Sequence, residues 1–416
     1  MNRLHFLKTL TAPVALGLTG ATPWPVRTPA TSPATADTLP TWPLPDLKKA
    51  IPNPVMIRSV ELLKTLGHLL LVVTAEDGTR GITQCNGRMF NTHSLLKGLV
   101  VNHFIGKDAR DLPQLVDNAY RLDSNYKYAG MPLWNCIGSV EIATWDLLGR
   151  LAQKPVYALL GTPVRKQYDV YISDWYRGGE PMAGVVDRLK QKLAETGARG
   201  VKLKLGGRMV NTPDDDKRTR AFVPLVRKEL GDNAVIYADG NGSFSVKEGI
   251  ATGRFLEEYG VDIFEEPCNF EDEDGMRQVN QALTKIKLAG GEQDSSLYRF
   301  ERMARTNVYD IYQPDLYYNG GILRNLQVAE IVRQHGKLFA PHNPKADPLL
   351  APFWPVAALA PNLYGLQEFV YNIGEKAPGW YTPTIRVQNG RMTIPDTPGL
   401  GIDYDEAIWK GAERIV

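Results

Sequence analysis

Six polar residues in the second half of the chain, Asp239, Glu265, Glu292, Asp315, His342 and Glu368, each follow a short apolar run. They recur at intervals of roughly one β-strand plus one α-helix with its loops. The runs include Ile236-Tyr237-Ala238, Ile263-Phe264, Leu288-Ala289-Gly290-Gly291, Lys337-Leu338-Phe339-Ala340-Pro341 and Leu363-Tyr364-Gly365-Leu366-Gln367. Parallel strands joined by crossover helices produce such a repeat, and it sets every polar residue at the carboxyl end of its strand. A single acidic residue after a strand is commonly a helix N-cap. Six polar residues in phase are hard to explain as caps.

The first three, Asp239, Glu265 and Glu292, bring three carboxylates to one point. Like charges so close need something positive between them, and an all-oxygen trio suits a hard divalent cation such as Mg²⁺.

Upstream, Val170–Ile172, Gly200–Leu205 and Ala234–Ala238 lead into the amphipathic stretches 183–196, 214–230 and 246–259. Counted from Tyr168, eight strands occupy 168–385, the length of one β/α barrel. A doubly wound sheet would bring only a few strand ends to one site, and no GxGxxG follows the first strand. Before the barrel, 50–163 reads as a small α+β domain. Its meander runs from Val55 to Cys85 with turns at Thr65-Leu66-Gly67 and Glu76-Asp77-Gly78, and helical periodicity follows over Lys107–Asp123 and Trp134–Leu160. The segment 386–416 has a hairpin turn at Asn389-Gly390 but no helix for another βα unit, and is expected to return to the small domain.

Residues 1–40 differ in texture. A basic start through Lys8, an apolar small-residue stretch from Thr9 to Thr19, and Ala34-Thr35-Ala36 before Asp37 read as an export leader. The opening is similar to a twin-arginine signal with Leu4 in place of the second arginine, so the expectation is a periplasmic or otherwise exported protein by a Tat- or Sec-like route, with a cytoplasmic location as the alternative. No later stretch is apolar enough to span a membrane. A net charge of +2, without a basic run interleaved with aromatics, argues against nucleic acid as partner. Cys85, Cys136 and Cys268 lack any paired spacing and read as buried thiols.

Lys202 and Lys204 alternate with Val201, Leu203 and Leu205 on the second barrel strand, so both lysines should face inward, near the carboxylates. Asp315 and His342 end consecutive strands, where the carboxylate can hold one imidazole nitrogen and tune the other as acid or base. A lysine on one side and a histidine on the other suit removal of a proton next to a substrate carboxylate.

The set Lys202-x-Lys204, Asp239-x-Asn241, Glu265-Glu266-Pro267, Gly291-Glu292, Gln313-Pro314-Asp315 and His342, with Pro398-Gly399-Leu400-Gly401 near the end, resembles the enolase superfamily and, within it, the mandelate racemase subgroup. The resemblance extends over about residues 55–415. It implies an α/β fold, a modified TIM barrel (β/α)7β under an N-terminal α+β capping domain completed by the C-terminal tail. It also implies Mg²⁺ on Asp239, Glu265 and Glu292, with Lys204 as the base on one face and the pair Asp315 and His342 on the other. Lys202 then supports the substrate carboxylate, Asn241 contacts substrate, and Glu368 is an electrophilic acid that donates a hydrogen bond to the enediolate when protonated. In such proteins cap loops set specificity; here these are 64–67, 86–91 and 125–130, the last containing Tyr128, joined by Asp174-Trp175-Tyr176-Arg177 after the first barrel strand. Arg177 and Tyr128 are the candidate substrate contacts.

The expected activity is dehydration of an acid sugar of the aldonate or aldarate type, a carbon-oxygen lyase reaction. Racemisation, epimerisation or cycloisomerisation of a sugar acid or lactone is the alternative on the same residues. A Schiff-base aldolase using Lys204 would leave the carboxylate trio unexplained, and a non-catalytic sugar-acid sensor would be expected to lack a base or ligand. The partner is a small-molecule carboxylate, and the expected assembly is a homo-oligomer.

Overall fold

The computed structural model describes residues 38–373 and 379–416. Nearly all of the leader expected at 1–40 therefore lies outside the described residues. Among those described, no helix is long and apolar enough to cross a membrane.

Three antiparallel strands, β1 (Ile57–Thr65), β2 (His68–Ala75) and β3 (Arg80–Gln84), form the sheet of the cap. β1 and β2 meet at Leu66-Gly67, whose φ values of 50° and 79° make the mirror-image turn that matches strand twist. Against this sheet packs α1 (Met131–Leu151), buried from Leu133 to Gly149. The approach is close: a Cβ on Gly81 would fall 2.1 Å from the Ala143 carbonyl oxygen. The helical reading of Trp134–Leu160 is broken in the structure, because α1 ends at Leu151 and a separate helix, Val156–Leu160, begins after Pro155. Proline lacks the amide proton and disfavours helical backbone at the residue before it. The stretch Lys107–Asp123 likewise divides into a 3₁₀ turn, Ala109–Asp111, and a helix, Leu112–Arg121.

The second layer is a ring of parallel strands: β4 (Gln167–Ser173), β5 (Gly200–Lys204), β6 (Val235–Asp239), β7 (Ile263–Glu265), β8 (Lys287–Gly290), β9 (Ile311–Tyr312), β10 (Leu338–Phe339) and β11 (Gln367–Phe369). They alternate with α2 (Met182–Thr196), α3 (Pro213–Leu230), α4 (Val246–Glu258), α5 (Glu273–Ala282), α6 (Leu297–Arg305), α7 (Ile322–Gln334) and α8 (Phe353–Leu359). The fold is a modified (β/α)7β barrel with an N-terminal α+β cap. Capping boxes at Thr212/Asp215 and Ser245/Glu248 start α3 and α4 by satisfying amides that have no partner within the helix. The eighth strand region closes the ring in two steps: Leu363 bridges Phe339 of β10, and β11 then pairs with Val170–Ile172 of β4. The tail divides its contacts. Arg391–Thr393 adds antiparallel to β4, and Glu413–Arg414 pairs with Leu63 and Lys64 of β1.

Inside the ring, Tyr171, Tyr237, Ile263, Ala289, Ile311 and Leu366 form a small apolar core of their own. Side chains two apart on a strand share a face. Residues two positions further on, among them Asp239, Glu265, Gln313 and Glu368, therefore stand on the same inner face, one layer nearer the strand ends.

Candidate active site

That upper layer is a buried electrostatic cluster. Lys202 is 0% exposed and Lys204 9% exposed, whereas free lysines stay in water unless paired. Lys202 Nζ lies 2.8 Å from Glu368 Oε1, 3.2 Å from both oxygens of Glu265, and 3.9 Å from Asp239 Oδ2. The Tyr171 ring sits beneath it, 5.7 Å from centroid to Nζ. Burial opposes the Lys202 charge, but Glu265 and Glu368 outweigh it and hold the ammonium well above its ordinary range. Lys204 Nζ donates to Asp239 Oδ2, and Asp239 Oδ1 accepts from the Asn241 amide at 2.8 Å. Burial would raise the Asp239 carboxyl; Lys204 and Lys202 pull it well below the carboxylate range.

On the opposite side His342 stands between two acids. Its Nδ1 is 2.8 Å from Asp315 Oδ2 and its Nε2 is 3.2 Å from Glu292 Oε2. Burial works against the imidazolium, but Glu292 and the Asp315 hydrogen bond push the pKa up to about 9. Asp315 is itself fixed by the amides of Tyr317 at 2.8 Å and Tyr318 at 3.0 Å.

The structure thus brings Lys202, Lys204, Asp239, Glu265, Glu292, Asp315, His342 and Glu368 together. Glu368 Oε1 stands 2.8 Å from Lys202 Nζ; burial would raise its carboxyl, but Lys202 first, then His342 and Lys204, hold it well below the carboxylate range in this arrangement. Arg177 and Asn241 are engaged with each other. Arg177 donates to Asn241 Oδ1 and to the carbonyls of Leu205 (2.9 Å), Gly206 (3.2 Å) and Gly207, so it serves as a clasp of the β5 loop. Tyr128 is 54% exposed at the end of a 3₁₀ turn.

Two further members stand within the sequence motifs without a role assigned to them there. Gln313 Nε2 donates to Glu265 Oε2 at 3.0 Å. Its place two residues before Asp315 was the available signal, by the same alternation that turned both lysines inward. Glu266 is 2% exposed, and its Oε1 is buried without a hydrogen-bond partner among the described residues. Burial first, and then Glu292, Asp239 and Glu265, raise the Glu266 carboxyl well above its ordinary range. Glu265 is also raised, to about 7, by burial and by Asp239 against the pull of Lys202.

As the side chains stand, no group of three or more His, Cys, Asp or Glu among the described residues is arranged to hold a metal ion. Each carboxylate of the trio instead meets a different base: Asp239 takes Lys204, Glu265 takes Lys202 and Glu292 takes His342. The donor set nevertheless fits a hard dication. Asp239, Glu265, Glu266, Glu292, Asp315 and Glu368 are all buried acids, and Lys202, Lys204 and His342 are the cations in direct contact with them. An all-oxygen set in which acids outnumber bases, with an orphaned carboxyl oxygen on Glu266, fits the ligands Mg²⁺ takes.

Comparison with known proteins places this geometry in context. Residues 184–408 match the enolase C-terminal domain-like family, and residues 47–161 match the mandelate racemase/muconate lactonizing enzyme N-terminal domain. An arabinonate dehydratase from Saccharolobus solfataricus is 25% identical, covering 73% of this chain and 79% of its own. A D-galactonate dehydratase from Variovorax paradoxus is 31% identical, covering 75% and 80%. The crystal structure of a mandelate racemase/muconate lactonizing protein from Paracoccus denitrificans, complexed with magnesium, superimposes with a TM-score of 0.80 at 26% identity, covering 87% of this chain and 99% of that one.

Proposed function

The chain belongs to the mandelate racemase/muconate lactonizing enzyme family of the enolase superfamily, and from that premise we propose that it is a Mg²⁺-dependent acid-sugar dehydratase. The observation that carries this reading is the placement of two bases on opposite sides of one carboxylate cluster, Lys204 on Asp239 and His342 on Glu292. The names of the dehydratase relatives support an aldonate-type substrate.

In this reading Asp239, Glu265 and Glu292 hold the cation. When bound, Mg²⁺ supplies Lewis-acid stabilisation of the negative charge that develops on the substrate carboxylate. Lys202, held charged by Glu265 and Glu368, adds a fixed positive group for the same charge. Lys204 or His342 takes the proton on the carbon next to the carboxylate. The Asp315 contact keeps the His342 ring in one orientation, so that its Nε2 proton can be given to the departing β-hydroxyl. Loss of that hydroxyl as water leaves an enol, which relaxes to a 2-oxo-3-deoxy acid. Burial of the cluster excludes competing water and strengthens each of these interactions.

The test is to incubate the protein with a panel of aldonates and aldarates with Mg²⁺, and again with EDTA. Formation of a 2-oxo-3-deoxy acid that EDTA abolishes supports the assignment. Turnover that survives EDTA and is trapped by borohydride would replace it with Schiff-base chemistry on Lys204.

A further inference from the structure

A cavity of about 960 Å³ opens at the seam between the cap helices and the loops that leave β8 and β9. Part of its wall is a stack in which the rings of Tyr120 and Trp134 lie 4.6 Å apart and the Arg324 guanidinium lies 3.6 Å from the Trp134 centroid. Arg324 Nε donates to the Asn319 carbonyl at 2.6 Å, and Nη2 donates to the Ser295 carbonyl at 2.7 Å. Among the described residues it has no carboxylate within ion-pair distance. The acids that line the cavity are already engaged: Asp294 faces Arg299 at 3.2 Å, Asp117 faces Arg121 at 2.7 Å, and Glu141 accepts from the amides of Ile322 and Leu323 at 3.0 and 2.9 Å. Burial pushes the Arg324 pKa down to about 9, as expected of a cation without a counter-charge. Arg324 is thus a partly buried guanidinium, held by one aromatic face and two carbonyls, with no anion among the described residues to balance its charge.

We propose that this cavity is a binding site for a small organic anion with an apolar body, its carboxylate on Arg324 at Nη1, the nitrogen not engaged by Asn319 or Ser295, and its apolar part among Trp42, Val116 and Leu323. With Nε and Nη2 tied to carbonyls and its face on Trp134, the guanidinium is held rigid for an anion in a way a flexible lysine would not be. The site is separate from the carboxylate cluster but tied to it. Ser295 lies in the loop after Glu292, Asn319 lies in the loop after Asp315, and Arg324 holds both. Occupancy is therefore expected to alter turnover.

The test is calorimetric titration of the full-length, metal-free protein with sodium benzoate and with its neutral isostere benzamide. Benzoate should saturate one site, and benzamide should bind roughly tenfold more weakly or worse, the loss expected when a charge-assisted bond is removed. Arg324→Gln should lose benzoate binding by a similar factor, whereas Lys204→Ala, in the cluster, should not change it. If Arg324→Gln does not fold, Arg324→Lys, which keeps the charge but not the planar guanidinium, takes its place and should also weaken benzoate binding while Lys204→Ala does not. Equal affinity for the two probes, no saturable benzoate binding, or loss of binding on Lys204→Ala would overturn the proposal.

Discussion

Asp315 Oδ2 lies 2.8 Å from His342 Nδ1, and the backbones of the same two residues form a parallel bridge between the ends of consecutive strand segments. The carboxylate therefore fixes the ring from one side while Glu292 faces it from the other. Asp315→Asn keeps the shape but removes the charge. It should lower kcat by roughly a hundredfold or more and move the His342 ionisation down from about 9, because a group that raised it is gone. The pH profile of kcat, with NMR of the His342 ring, checks both.

Metal binding and proton transfer should separate by mutation. Glu292→Gln should weaken Mg²⁺ binding by on the order of a hundredfold, measured by calorimetry on the metal-free protein, since it removes one of three anionic oxygen ligands. Lys204→Ala should abolish turnover and leave Mg²⁺ binding intact. Loss of Mg²⁺ binding in Lys204→Ala would show that the roles on β5 and β6 are misassigned.

Glu141 gives the cap a pH dependence of its own. Its carboxyl is buried, and burial raises it from 4.5 to about 7 against three hydrogen bonds, from Leu323, Ile322 and Trp145. A folded-state pKa above the unfolded value means the native state binds the proton more tightly. This contribution is thus complete below 4.5 and is lost as pH rises through about 7, by about 3 kcal/mol at most. Urea unfolding of the native protein and Glu141→Gln between about pH 5 and pH 8 should show the steeper decline in the native protein. Parallel curves would exclude Glu141 as the source.

Gly81→Ala should destabilise the cap. The added Cβ would fall 2.1 Å from the Ala143 oxygen and 2.4 Å from the Leu147 nitrogen, both backbone atoms of α1, so the sheet and helix must part. A cost of about 2 kcal/mol or more is expected from overpacking of this kind, read as a lower denaturant midpoint.

The barrel was legible because its inner face has a strict rhythm. Tyr237 then Asp239, Ile263 then Glu265, and Leu366 then Glu368 each place an apolar residue two before a functional one, and the strand-and-helix period repeats the pattern. Helix ends were less legible: the periodicity of Trp134–Leu160 passes through Pro155, where backbone chemistry and not side-chain pattern decides. Charge state was not legible at all. Glu368 reads as an acid of uncertain protonation until Lys202 is found 2.8 Å away. Nor could composition show that Arg177, polar and suitably placed, spends its hydrogen bonds on Asn241 and the β5 loop.

The central claim is abstraction of the proton next to a carboxylate, and isotope exchange reads it directly. Mg²⁺-loaded protein incubated with a panel of acid sugars in D₂O, followed by ¹H NMR, should remove the C2 proton signal of the substrate it accepts and yield a 2-oxo-3-deoxy acid carrying deuterium at C3. Neither exchange nor elimination for any member of the panel, with the protein folded and Mg²⁺ bound, would contradict the account.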